Sequence, residues 1–348
     1  MDASGTSGKT VLITGGSGFL GGWCVIEALR RGYTVRTTVR DLGRKSEVRA
    51  LIAKEIDPGE RLSFFAADLL GDAGWGEAAE GCDYVLHVAS PFLLEQPDDA
   101  NEFILPAREG TVRVLNAALD AEVKRIVLTS SIAAVMYGHD DYSKPLTEES
   151  WSDPDFEGMN PYGRSKTIAE LAAWDLVRER GAEDRLATIQ PGAIIGPVLS
   201  RDRSPSVQIV ERLLAGPRGI PRLGFNLVDV RDVAGMHLDA MTEPEAAGER
   251  FIATGPFQWM AETAKILRDH PGDQFSSVPK RQVPDFVFKV VARFNPNLRL
   301  LARQLGRRID FSWEKAETQL GWTPRPVEEA VVDTAESLIR EGVVGGDA

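Results

Sequence analysis

Short apolar runs alternate with longer amphipathic ones through the first half of the chain. The runs at residues 10–14 (TVLIT), 34–39 (TVRTTV), 62–67 (LSFFAA), 83–88 (DYVLHV), 125–129 (RIVLT) and 186–190 (LATIQ) are rich in Val, Ile, Leu and Phe and mostly continuous rather than alternating. Strands buried on both faces have this pattern. Between them, residues 18–31, 44–55, 101–120 and 162–180 read as helices; the third sets Phe103, Ile104, Val112, Val114 and Leu115 at roughly helical spacing. Strand, helix, strand repeated in this way requires right-handed crossovers and a parallel sheet covered by helices on both faces. The expected fold is α/β, a doubly wound parallel sheet.

Beyond residue 190 the pattern loosens. Residues 191–224 are rich in Pro and Gly, and 225–233 and 251–254 look like isolated strands. The expected division is a dinucleotide-binding domain over 1–190 and a smaller substrate-binding lobe over 191–348, with the two late strands returning to the first domain. Residues 284–306 are basic and apolar and read as an amphipathic helix or two covering the sheet or the second lobe. A last helix is expected over 326–340. No internal repeat or low-complexity segment occurs.

Composition narrows the function. Of 348 residues, 40 are Lys or Arg and 52 are Asp or Glu, a net charge of −12. A chain acidic as a whole is a poor candidate for wrapping nucleic acid or for binding anionic lipid. No apolar run approaches the ~18 residues that span a bilayer. The first nine residues lack the apolar core of a signal peptide, so a cytoplasmic protein is expected, with Cys24 and Cys82 as reduced thiols. His87, His139, His237 and His270 are far apart and have no companion cysteine, so no metal site is expected.

Directly after the first strand comes Thr14-Gly15-Gly16-Ser17-Gly18-Phe19-Leu20-Gly21. The first glycines permit a turn at positive φ, Gly18 lets the backbone approach a pyrophosphate, and Gly21 allows the helix to pack tightly on the strand. The helix start at Gly18, Phe19 and Leu20 then offers free N–H groups and a partial positive charge to phosphates. Placement between the first strand and the first helix gives the glycine pattern its weight. Asp41, 20 residues past Gly21, stands where NAD-binding folds put a ribose carboxylate, but Arg40 precedes it and Arg44 and Lys45 follow. Three cations against one carboxylate favour a 2′-phosphate, hence NADP(H) over NAD. Asp68 and Leu69 follow the third strand, where the carboxylate either accepts from an adenine amino group or caps a helix.

Tyr162-Gly163-Arg164-Ser165-Lys166 opens a helix, placing Tyr162 and Lys166 on one face. The motif lies 31 residues after Thr129-Ser130-Ser131, at the carboxyl end of a strand, where open α/β sheets build their sites. A phenol with pKa ~10 exchanges protons poorly at neutral pH. An ammonium ~4–5 Å away at an effective dielectric of ~20 favours the phenolate by about 3–4 kcal/mol. Tyr162 is thereby expected to act as general acid toward a carbonyl or general base toward an alcohol. A serine hydroxyl at the strand end would fix and polarise the carbonyl oxygen.

Together, TGGSGFLG, the strand-end serine and YGRSK resemble the extended short-chain dehydrogenase/reductase family. TVRD at 38–41, HVASP at 87–91, TSSIAAV at 129–135, PGAIIGP at 191–197 and DVRDVA at 229–234 are similar to the dihydroflavonol reductase, cinnamoyl-CoA reductase and microbial aldehyde/ketone reductase branch. The resemblance spans nearly the whole chain and implies a Rossmann-type sheet with Ser131, Tyr162 and Lys166 as catalytic triad. It further implies that Arg40 and Lys45 meet the 2′-phosphate. Val88, Ala89 and Ser90 would run along the cofactor, with Pro191, Gly192 and Ile194 against the nicotinamide. Ser130 is the alternative serine; in similar stretches the second one carries the role. Asn116 is either a fourth, water-holding member or a buried polar residue of its helix.

The expected activity is NADPH-dependent reduction of an apolar or aromatic aldehyde or ketone, by a monomer or homodimer. Phe92, Leu93, Met136, Tyr137 and residues 191–225 would line the pocket, and they offer no evident cluster of Arg or Lys for a diphosphate. Two alternatives remain. A nucleotide-sugar dehydratase would need an Asp-Glu pair where Ile132-Ala133-Ala134 stand, while an epimerase stays open through Met136-Tyr137-Gly138. A non-catalytic NADPH sensor could dispense with Tyr162 or Lys166, and both are present.

Overall fold

The computed structural model describes residues 8–90, 101–201, 204–216, 219–294 and 296–344. Strands β1 (Thr10–Thr14), β2 (Thr34–Val39), β3 (Leu62–Ala66), β4 (Tyr84–His87), β5 (Arg125–Thr129) and β6 (Leu186–Pro191) arise from the continuous apolar runs. With β9 (Arg250–Ala253) they form a seven-stranded sheet in the order β3-β2-β1-β4-β5-β6-β9, every neighbouring pair parallel. A three-stranded sheet joins β7 (Ala193–Ile195), β8 (Gly224–Asp229) and β10 (Phe257–Trp259). The order turns outward in both directions from between β1 and β4, and in open α/β sheets ligands bind at that switch point, outside the carboxyl ends of the strands.

The large sheet is sandwiched. On one side α1 (Phe19–Arg30), α2 (Lys45–Ala53) and α7 (Val230–Thr242) enclose a core with Val11, Ile13, Trp23, Ile26 and Phe251. On the other, α3 (Trp75–Ala79), α4 (Asn101–Asp120) and α5 (Pro161–Glu179) pack over Leu12, Val85, Leu115, Ile126 and Trp174. A separate apolar cluster unites the small sheet with α6 (Val207–Leu214), α8 (Met260–Asp269) and α12 (Val327–Arg340). Helices α9 (Asp285–Ala292) and α10 (Pro296–Ala302) lie at its margin, and α11 (Glu314–Leu320) packs beside β9 and α7.

One of the two late strands needs correction. Residues 251–254 fall within or next to β9 and so belong to the large sheet. The expected strand at 225–233 does not join that sheet and is strand only to Asp229, whose carboxylate accepts from Arg231 N and starts α7. That cap turns an apolar run into a strand–helix junction. Phe92 and Leu93, expected in the pocket, lie outside the described residues.

Candidate active site

At the end of β1 the chain reverses through Gly15 at φ +71°, and Gly18 N donates to Gly15 O at 2.9 Å. Helix α1 starts at Phe19 with no side-chain cap and no acidic residue in its first turn. Its first N–H groups and the positive end of its dipole are thus left for a bound anion. The glycines keep the space tight: a Cβ on Gly15 would stand 3.0 Å from Ala89 Cβ, one on Gly16 2.2 Å from Thr37 Oγ1, and one on Gly21 2.1 Å from Gly15 O. Gly21 therefore seats the helix on the turn itself, whereas Gly16 is the one pressed against a strand. We expect Gly21→Ala to destabilise the fold by about 1–3 kcal/mol, because the backbone oxygen cannot move without opening the turn. An unchanged urea midpoint would contradict this packing.

Thr14 ties the turn to the end of β4. Its Oγ1 accepts from Val88 N (3.1 Å) and Ala89 N (3.0 Å) and is bonded to His87 Nδ1 at 2.9 Å. Burial, aided by the nearby Lys166 charge, pushes His87 down to about 3, so the imidazole is neutral.

At the far end of the groove, beyond β2, Asp41 accepts from Gly43 N at 2.7 Å and shapes a short helical turn. Arg44 is committed to Glu47 through two contacts of 2.9 and 3.0 Å. Arg40 and Lys45 are exposed and form no ion pair with a described residue. Asp68 caps no helix: its Oδ1 accepts from Leu70 N at 3.0 Å and closes a turn, while Leu69 packs under Gly110 of α4.

The residues predicted to be catalytic gather at the carboxyl end of β5 and the start of α5. Ser130 N donates to Ile189 O (2.7 Å), and Ser131, buried, accepts from Ala133 N at 3.1 Å. Helix α5 is fixed at its start by Asn160, whose Oδ1 accepts from Gly163 N (2.7 Å), and by Pro161. This brings the Tyr162 hydroxyl close enough to Ser131 to feel its hydroxyl, while the residue stays 39% exposed. Lys166, buried one turn deeper, donates to Thr129 O at 3.1 Å. Thr129 Oγ1 is bonded to His237 Nε2 at 2.7 Å, and His237 Nδ1 donates to Val233 O at 2.8 Å. Burial lowers His237 to about 4, which keeps that ring neutral.

Burial around the Tyr162 hydroxyl raises it above the usual phenol range, against the opposing hydrogen bond from Ser131. Lys166, bonded to Thr129 O, is itself pushed down to about 8 by burial, with Glu170 opposing. Desolvation thus opposes ionisation of the Tyr162 phenol, which rests protonated.

Glu170, a further turn along the same face of α5, escaped the sequence reading although its spacing from Tyr162 and Lys166 marks it. It is fully buried and accepts from Ser130 Oγ, Thr188 Oγ1 (2.9 Å), Gln190 Nε2 (2.7 Å) and Arg250 Nε (2.9 Å). Arg250 also donates to the carbonyls of Glu148 and Ser150 and lies 3.6 Å over the Trp151 ring. Ser130 thus faces this buried network and Ser131 faces Tyr162. Asn116 is removed from the reaction: its Oδ1 accepts from Arg180 at 3.1 Å, just past the C-terminal end of α5, about 27 Å along the helix from Tyr162.

The remaining predicted residues flank this point. Gly192 N donates to Ala253 O at 3.0 Å, and a Cβ there would stand 2.3 Å from Asn226 O, so the Pro191–Gly192 backbone is wedged between the two sheets. Ile194 lies half-buried on β7, Val88 and Ala89 are half-buried, and Ser90 is exposed. Met136 is half-buried; Tyr137 is buried, with its ring 6.4 Å from that of Phe156.

Comparison with known proteins places these features in context. The profile of the NAD dependent epimerase/dehydratase family matches residues 11–253. A cinnamoyl-CoA reductase of Medicago truncatula is 35% identical over 345 residues, 97% of this chain and 97% of that protein. A dihydroflavonol 4-reductase of Zea mays is 36% identical over 279 residues, 76% of each chain. The crystal structure of yeast methylglyoxal/isovaleraldehyde reductase complexed with NADPH superposes with a TM-score of 0.80 at 25% identity, covering 96% of this chain and all of that one.

Proposed function

The chain belongs to the NAD dependent epimerase/dehydratase family, the extended short-chain dehydrogenase/reductases, and from that premise we propose that it reduces an apolar or aromatic aldehyde or ketone with NADPH. It is an oxidoreductase, as its reductase relatives are. The glycine cradle fits a pyrophosphate: a Cβ would fill it, and the α1 start is uncapped. Gly15, Gly18, Phe19 and Leu20 hold that group through backbone N–H donors. Arg40 and Lys45 hold the 2′-phosphate, and Asp68 with Leu69 meets the adenine. Val88, Ala89 and Ser90 border the middle of the groove, and Pro191, Gly192 and Ile194 form the wall behind the nicotinamide. When bound, the reduced nicotinamide supplies a hydride to the carbonyl carbon.

The protein's own contribution is the proton and the charge. Tyr162 delivers its phenolic proton to the carbonyl oxygen, and Ser131 donates a hydrogen bond to the same atom. The Lys166 ammonium supports the phenolate left behind and holds the ribose hydroxyls. A phenol that rests protonated suits the reductive direction, and the reverse oxidation uses the same groups. The observation that carries this reading is the convergence of the strand-end Ser131 with Tyr162 at the start of α5, with Lys166 one turn along the helix and donating to Thr129 O.

The test is consumption of NADPH, and separately NADH, against a panel of aromatic and aliphatic carbonyl compounds. Turnover should prefer NADPH. Because charge-assisted contacts contribute ~1.5–3 kcal/mol, Arg40→Gln and Lys45→Gln should each lower the NADPH-to-NADH ratio of kcat/KM by about 10- to 100-fold. An unchanged ratio in both variants would remove these residues from the phosphate site. Tight NADPH binding without turnover of any carbonyl would overturn the reductase.

A further inference from the structure

The segment at 280–303 behaves unlike the rest of the protein. Helix α9 is apolar around most of its circumference: Phe288 packs on the small lobe's core and Ala292 is buried, while Phe286, Val287, Val290 and Val291, with Phe294 just past the helix end, are exposed. Among the described residues ten large apolar side chains are exposed, and these are five of them, with Phe286 70% and Phe294 84% exposed. A patch so concentrated signals a partner. The expectation that the apolar residues of this segment cover the sheet or the lobe holds only for the inner stripe.

The charge around the patch selects the partner. Between 280 and 303 the sequence carries Lys280, Arg281, Lys289, Arg293, Arg299 and Arg303 against one acid, Asp285. All six cations are exposed, and Asp285 is neutralised by Arg222 at 2.6 Å. Total charge misleads at this point: with a Debye length of ~8 Å at physiological ionic strength, a surface touching α9 responds to the local cations and not to the net −12. A second copy fits poorly, because a twofold contact would set six cations against the same six.

We propose that this face binds an anionic bilayer surface, with Phe286, Val290 and Phe294 entering the interface and the six cations reaching lipid phosphates. The arrangement is that of an interfacial amphipathic helix, whose long basic side chains extend to headgroups while the aromatic rings enter the acyl boundary. Among the described residues no helix is long and apolar enough to cross a membrane, so the contact is peripheral. It is independent of the proposed activity.

The experiment is co-sedimentation of the full chain with phosphatidylcholine vesicles with and without phosphatidylglycerol, beside sedimentation velocity without lipid. Binding is expected to the anionic vesicles only and should fall steeply with salt. Each of Lys289→Gln, Arg293→Gln and Arg299→Gln should weaken it about fivefold. Phe286→Ser with Phe294→Ser should abolish it while circular dichroism and thermal midpoint stay those of the wild type. Equal binding to neutral vesicles, no binding at all, or indifference to these substitutions would overturn the proposal. A concentration-dependent dimer lost in the same variants, without vesicle binding, would overturn it in favour of a contact between copies.

Discussion

Tyr162→Phe is expected to lower kcat by about 10²- to 10⁴-fold, the range for removing a positioned general acid, while NADPH affinity stays close to that of the wild type. The substitution deletes one oxygen. The ring keeps its place at the start of α5, where Asn160 and Pro161 fix the helix independently of the hydroxyl. Ser131 remains, still accepting from Ala133 N, so the carbonyl oxygen loses its proton source without losing its site. Because the phenol is raised above its usual range, wild-type activity in the reductive direction should not depend on its titration near neutral pH. Steady-state kinetics with a fluorescence titration of NADPH separates the effects. A kcat within a few fold of wild type would remove Tyr162 from proton transfer; loss of NADPH binding instead would make its role structural.

Glu170→Leu should be the most destabilising of the single changes considered, at about 3–5 kcal/mol. Arg250 is buried beside it, and without the carboxylate its guanidinium would be left as an uncompensated buried charge. That is a large share of the ~5–15 kcal/mol by which domains are typically stable. Thr188, Gln190 and Ser130 would lose an acceptor at the same time. Arg250→Leu should cost a comparable amount, and the double variant Glu170→Leu/Arg250→Leu less than the sum, because no lone charge then remains. Denaturant midpoints of the four proteins form the cycle. Additive losses would show that the two groups do not act as a pair.

The strands were legible because a parallel sheet buried on both faces writes itself as continuous Val, Ile and Leu runs, as at Val11–Ile13 and Ile126–Leu128. The junction at Asp229 was misread because one apolar run crosses it and the deciding event is a single side-chain cap. The short helix α6 hid within 191–224, where prolines and glycines dominate the local pattern, and α8 lies beyond that stretch. In the site, Ser131, Tyr162 and Lys166 were legible because their spacing is local and each sits at a strand end or helix start. The partners of Glu170 were not, since Arg250 lies 80 residues away in sequence and only the β6–β9 pairing brings it near. The pairing of Arg44 with Glu47 three residues on is a local contact that the count of cations near Asp41 does not show. The basic, apolar character of 284–306 is legible in the sequence, but the whole-chain charge of the opposite sign argued against an anionic partner for it.

The central claim is that hydride passes to a carbonyl carbon at a site closed by Ser131, Tyr162 and Lys166. Its most direct test is turnover of an aromatic aldehyde with NADPH deuterated on the transferring face of the nicotinamide, followed by mass spectrometry of the alcohol. One deuterium on the carbinol carbon of each product molecule, in a reaction that fails with Tyr162→Phe, is the predicted result. No alcohol from any carbonyl substrate, together with conversion of a nucleotide sugar without net consumption of the cofactor, would contradict the account.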